Sequence, residues 1–467
     1  MKQTLVNYPN KFRAVFAGKT SSAVAISVSI CAGAEQEPKN ISGVTHLIER
    51  ILRQDIMGAT SSFGSVVETR TDFEHIEITV STLRPYILNV LTAISTAIFD
   101  FNPKVSVIER EKVKILSEIE KAKFNPTSIL NAITQKQMYK GTNLATDIIG
   151  NEKSISSLSI EVVKEYYNSI LSADCLIVSL VGDICDKQSA DASVNQNKTG
   201  NNFVIENNSN ETIGDAKWVI PSLDVIRGDS INSGKTIQNS YSMVQDFVNK
   251  TFYSRTLELK NTKRKKKTKY TVPNGNIYVE KVKTLNQTRF QISFPSAPYN
   301  SAGYKYGKIL EDFLNLYLRV ELANVQGVYG VNASIVQFKG NGHISITFAV
   351  DEEKAKDVYL LVFSALLRLK SETVTNKEFE SSVTKYKTQV ALKHEKITDL
   401  ALRYNKWLYL KDKLFNLQNE LIAIDSLSYQ NFIYICKQTL DFSKMVVVSL
   451  GRKIPEFNPF LLLGGKK

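Results

Sequence analysis

The stretch GVTHLIERIL, residues 43–52, decides how the rest of the chain is read. On a helix of 3.6 residues per turn, His46, Glu49 and Arg50 stand at i, i+3 and i+4 and project from one side. Leu47, Ile48, Ile51 and Leu52 supply the apolar side. With His at position 50 the pentapeptide would be H-x-x-E-H, an inverted zinc-binding pattern. Arg stands there instead, so the helix keeps either the chemistry or only the scaffold.

An inverted zinc site needs two neutral imidazoles one turn apart, a carboxylate as third ligand, and a glutamate that deprotonates the metal-bound water. His46 supplies one imidazole and Glu49 the base. Further along, IEREKVKILSEIEK offers Glu111 and Glu118, seven residues and therefore two turns apart on one helix face. Position 50 breaks the set, because Arg stays protonated, has no lone pair for a metal, and brings a full positive charge. His46 and Glu118 alone are two protein ligands where catalytic zinc takes three. The expectation is a degenerate metal site of His46, Arg50, Glu118 and Glu111, with no bound metal and no working base at Glu49. In it the Arg50 guanidinium pairs with Glu118 and pins two helices together. The pentapeptide by itself equally suits an ordinary amphipathic helix with His46 and Glu49 at its boundary. The preceding Gly43, the strand upstream and the later glutamate pair favour the degenerate site.

The chain also repeats itself. HIEITV begins at His75 and HISITF at His343, an offset of 268; CLIVSLVGDI begins at Cys175 and MVVVSLGRKI at Met445, an offset of 270. After each HI-x-IT strand come an apolar helix (86–99, then 356–368) and a charged one (104–123, then 374–392). Two copies of one unit are expected, 1–185 and 275–467, each with alternating strands such as AVAISVSI and with helices segregated to one face of the sheet. Residues 186–274 between them, rich in Asn, Ser, Asp and Lys, read as a largely mobile connector with WVIPSLDVI as a short ordered piece.

Composition sets bounds on function. At 467 residues, 43% hydrophobic and 22% charged, the chain has material for two large cores. Of its net charge of +13, seven charges fall in KNTKRKKKTK, residues 260–269. Without interleaved aromatic residues that run reads as a solvated loop, and no nucleic-acid surface is expected. Cys31, Cys175, Cys185 and Cys436 lack C-x-x-C spacing and read as free thiols. No apolar run reaches the ~18 residues of a membrane span. The first 34 residues are basic and free of acids, but AVAISVSI within them looks like a core strand, so no clear targeting segment is read.

Together these pieces resemble the pitrilysin or insulinase family of inverted zinc peptidases. Within that family the likeness is to mitochondrial processing peptidase subunits and to core proteins of the respiratory cytochrome bc complex. SICAGAEQEPKNISGVTHLIERIL looks like the family's strand, glycine turn and active-site helix, and IEREKVKILSEIEKAKFNP looks like the helix of the distal glutamate. LYLRVELANVQGVYGVNASIVQFKGNGHISITFAVD is similar to the second half of these subunits. The resemblance implies an α+β fold of two homologous α/β domains facing each other across a chamber. It matches His46 to the first ligand, Glu49 to the general base, Glu118 to the distal ligand and Glu111 to its supporting carboxylate; Arg50 departs. Tyr329 matches a substrate-holding tyrosine, but Ala323 or Asn324 stands where an arginine belongs. GKILEDFLNLYLRV lacks the glycine-rich loop of the non-catalytic processing subunits. The implied role is a non-catalytic subunit, paired with a homologous subunit as a heterodimer on the matrix side of a mitochondrion or related organelle. It would handle presequence peptides or serve the cytochrome bc complex. The alternative is a zinc peptidase with an unusual ligand set.

Overall fold

The computed structural model describes residues 3–184, 240–259, 270–283, 285–371 and 374–454. The first half runs β1 (Gln3–Asn7), β2 (Arg13–Gly18), β3 (Val24–Ile30), α1 (Val44–Thr60), β4 (Val66–Thr71), β5 (Ile76–Thr82), α2 (Ile87–Phe99), α3 (Val105–Phe124), α4 (Pro126–Met138), α5 (Glu152–Ser157), α6 (Ile160–Ile170) and β6 (Leu176–Gly182). After α7 (Ser240–Val248) and the short turn α8 (Ser254–Thr256) comes the second half. It runs β7 (Asn276–Lys281), β8 (Gln287–Pro295), α9 (Tyr304–Glu321), β9 (Val328–Gln337), β10 (Gly342–Asp351), α10 (Ala355–Ser371), α11 (Asn376–Glu395), α12 (Ile397–Lys411), α13 (Leu417–Asp425), α14 (Tyr429–Thr439) and β11 (Val446–Gly451).

Each half builds one mixed sheet. The orders are β1-β2-β6-β3-β5-β4 and β7-β11-β8-β10-β9, which coincide once the extra edge strand β1 is set aside. β2 runs parallel to β6 and β7 parallel to β11; the remaining pairs are antiparallel. The fold is α+β, with two sheets of one topology.

Ladder register corrects one detail of the repeat. Ile30 lies opposite both Ile76 and Leu176. Phe294 lies opposite Ile344, and Ser293 opposite Val446, which sets Met445 against Phe294. The partner of Met445 across the repeat is therefore Leu176, not Cys175. The difference matters because a slip of one residue moves every side chain to the other face. Leu176, Val178 and Leu180 do share a core with the helices of their own half, as Met445 and Val447 do in theirs.

The other face of each sheet is not bare, contrary to the expectation of helices on one side only. Helix α12 of the second half lies across β3 and β6, while α4 of the first half lies across β11 and β8. The exchange is reciprocal. Leu130, Met138 and Tyr139 pack on Val446, Val448 and Leu450, and Tyr404 and Leu408 share a core with Val15, Ala25, Ile177 and Val181. Matching ring contacts mark both crossings: His75 meets Tyr409 of α12 edge-on at 4.2 Å, and His343 accepts or donates a 2.7 Å hydrogen bond with the Tyr139 hydroxyl that ends α4.

Part of the segment read as connector belongs to the first core. Val244, Val248 and Phe252 are buried there, with Phe252 stacked against Phe12. Apolar residues at this spacing cover α2, which explains why 240–259 is ordered despite its polar neighbours. WVIPSLDVI and the basic run 260–269 lie outside the described residues, as does Cys185. Cys31, Cys175 and Cys436 are buried. Among the described residues no helix is long and apolar enough to cross a membrane.

Candidate functional site: a salt-bridged metal position

Helix α1 enters the site through a tight contact. Gly43 precedes it at φ 91°, and a Cβ there would fall 2.7 Å from the Ile149 carbonyl oxygen. Only glycine fits without displacement. Buried Glu37 accepts hydrogen bonds from the amides of Gly43 (2.7 Å) and Thr45 (2.8 Å), satisfying donors that the first turn leaves open. Burial pushes the Glu37 carboxyl up to about 7 against the opposing pull of Thr45 and these amides.

From this start α1 presents His46, Glu49 and Arg50 towards α3, which carries Glu111 and Glu118. Arg50 Nε donates to Glu111 Oε2 at 2.9 Å and its Nη1 to Glu118 Oε1 at 2.5 Å. His46 Nε2 lies 3.3 Å from the other Glu118 oxygen, and His46 Nδ1 lies 3.3 Å from Glu49 Oε2. Glu49 also accepts the Thr69 hydroxyl from β4. Lys114 closes the arrangement with a 2.6 Å bond to Glu111. The structure thus brings together five of the six residues singled out in the sequence. Tyr329 is the exception: it stands half-exposed on β9, the outer strand of the second sheet, and takes part in none of these contacts.

The charges explain the local pKa values. Burial disfavours imidazolium at His46, but the carboxylates of Glu49 and Glu118 outweigh it and hold its pKa above the usual value. Burial likewise opposes the charge on Arg50, and Glu111 and Glu118 more than restore it. Glu111 is held below the usual carboxylate range: burial raises it, Lys114 and Arg50 lower it further.

These residues do not fit a catalytic zinc. The guanidinium already bonds both carboxylates of α3, so a dication would sit against a fixed positive charge with His46 and Glu118 as its protein donors. Glu49 is tied to Thr69 and His46 rather than open to a water. Thr69, Glu37 and Lys114 were missed in the sequence. Thr69 alone carried a signal, since VVETRT alternates and places Glu68 and Arg70 on the face opposite Thr69.

Two sheets of shared topology, the first carrying a helix pair bridged by a guanidinium, make up a peptidase-type fold. The sequence profile for insulinase (peptidase family M16) matches residues 13–152, and that for the M16 inactive domain matches 239–386. The chain belongs to the M16 peptidase family. It is 22% identical over 175 residues to an uncharacterized zinc protease of Bacillus subtilis, covering 36% of this chain and 43% of that protein. It is 23% identical to mitochondrial cytochrome b-c1 complex subunit 1 of Caenorhabditis elegans (39% and 42% covered). To the mitochondrial-processing peptidase subunit beta of Dictyostelium discoideum it is 22% identical (35% and 37% covered). These matches take in less than half the length of each relative. The fold superposes over most of its length on a Helicobacter pylori protease (TM-score 0.77, 15% identity, 96% and 99% covered). It superposes similarly on an M16 inactive-domain protein of Pseudomonas fluorescens (TM-score 0.78, 14% identity, 98% and 99% covered).

Proposed function

We propose that this chain is a non-catalytic M16 subunit that pairs with a homologous subunit. It closes and supports a chamber whose chemistry, where there is any, belongs to the partner. The observation that carries this reading is the guanidinium of Arg50 bridging Glu111 and Glu118 where the family's second imidazole ligand would stand. A helix pair held by charge keeps the geometry of the active-site helices without a metal. Relatives named as subunits of two mitochondrial assemblies support a mitochondrial location; the matrix side is the compartment proposed. The most specific form of the reading is a presequence-processing subunit, since Glu49, Glu111 and Glu118 are all retained. A core subunit of the cytochrome bc complex is the second form, favoured by the substitution at position 50. Tagged protein purified from its own cells should carry one homologous M16 subunit in equal amount. An intact H-x-x-E-H in that partner points to processing, and co-purified cytochrome points to the respiratory role. Recovery as a lone chain that cleaves peptides, with cleavage abolished by Glu49→Gln, overturns the reading.

A further inference from the structure

A second group of metal-type donors lies outside the helix pair, at the turn from β4 into β5. Asp72, His75 and Glu77 each offer one donor atom, and these atoms lie within 4.8 Å of one another. Asp72 Oδ1 is 3.4 Å from His75 Nδ1 and is fixed in place by the backbone amides of Glu74 and His75, both at 2.7 Å. His75 is only 3% exposed; its Nδ1 has the Asp72 carboxylate 3.4 Å away but out of hydrogen-bond geometry, and its Nε2 meets no hydrogen-bond partner among the described residues. A ring nitrogen left so in a protein interior loses its hydration without replacement, and an ion or water is the usual explanation. The ring is held from behind by Tyr409 of α12. Asp72 and His75 line a cleft of about 580 Å³ that Tyr299, Lys308 and Lys406 of the second half also line. Glu77 lines an adjoining cleft that shares those three residues.

We infer that Asp72, His75 and Glu77 form a binding site for one divalent transition-metal ion, open to the cleft between the two halves. One imidazole and two carboxylates are a donor set for borderline ions such as Zn²⁺ or Mn²⁺, and three protein donors leave a coordination position facing the cleft. Arg70 competes for the site: its Nη2 bonds Glu77 at 2.7 Å, but its side chain is mostly exposed and free to turn out into solvent. The site is independent of the helix pair, because none of its donors contacts His46, Arg50, Glu111 or Glu118 in the bonds described above. Binding would stiffen a turn already docked on the second half through the Lys339 amide, which donates to Glu74.

The test uses the full chain, stripped with a chelator and titrated with zinc chloride by calorimetry. One saturable site is expected, with a rise in melting temperature on loading. Asp72→Asn and Glu77→Gln, which preserve shape and leave the two amide bonds to residue 72 possible, should each weaken binding on the order of tenfold or more. Arg70→Ala should tighten it by releasing Glu77, an outcome that loss of structure would not produce. His46→Ala should leave it unchanged. Absence of saturable binding overturns the inference, as does binding lost in His46→Ala, binding indifferent to both carboxylate variants, or weaker binding in Arg70→Ala.

Discussion

At position 50 a positive side chain lies between two carboxylates, and its removal leaves them facing each other. Breaking a fully buried pair costs about 3–5 kcal/mol, whereas an exposed one is worth under about 1. The site lies between these limits: Glu111 is buried and keeps Lys114, while Glu118 is 40% exposed. Arg50→Ala should therefore cost about 2 kcal/mol in denaturant unfolding, and a loss under about 0.5 would show the bridge to be idle. Arg50→His restores the imidazole and should gain zinc affinity over the parent chain in the same titration, without peptide turnover, since Ala323 or Asn324 stands where the family resemblance places a substrate-holding arginine. The His46 pKa, raised in the folded state, contributes stability that is present below the unfolded value of about 6.5 and lost as pH rises through the folded one. Glu118→Gln should lower the His46 pKa seen by NMR titration and move that loss to lower pH. An unchanged titration would mean that Glu118 does not hold the imidazolium. The site was legible in sequence because i, i+3, i+4 and i, i+7 spacings fix faces of helices. The hold of Glu37 on the start of α1 was not, because a loop carboxylate has no periodicity to betray its target.

The exchanged helices were harder to read from sequence, and the reason lies in three serines. Ser27, Ser29 and Ser179 alternate with apolar residues along β3 and β6, a pattern that normally marks a solvent face. All three are buried instead, under Asn405 of α12. Its Nδ2 donates to Ser27 and Ser29 hydroxyls at 3.1 Å, and the Ser179 hydroxyl donates to its Oδ1 at 2.5 Å. Polarity in a strand thus signalled a polar partner rather than water. Asn405→Ala strands these hydroxyls and should cost about 1–3 kcal/mol, read from the shift in unfolding midpoint at constant slope. Asn405→Asp should do worse at neutral pH, because it buries a charge facing the Ser179 hydroxyl and the Ser27 carbonyl oxygen without a counter-ion. Equal stability of all three proteins would mean that water occupies this interface. The one-residue slip at β11 has a related origin: VSL recurs in both strands, and matching letters gave the wrong face where ladder register gives the right one.

Across the whole molecule each half finishes the other, so neither should be stable by itself. Residues 1–259 and 270–467 produced as separate chains should each be poorly soluble, and produced together should elute as a one-to-one complex by gel filtration. Soluble, folded fragments in isolation would show the exchanged helices to be dispensable. The duplication itself was visible in sequence as two near-equal offsets, but the crossing was not, since a repeat reveals likeness between units and says nothing of which unit covers which. The same crossing imposes a schedule on synthesis. Val181, the last strand residue of the first sheet's outer face, leaves the ribosome more than 200 residues before Asn405 of the helix that will cover it. At 5–20 residues per second that interval lasts about 10–45 s, during which Val15, Ala25, Ile177 and Val181 remain open to the cell. Nascent chains of this protein should accordingly hold a chaperone through that window and release it only once α12 has emerged.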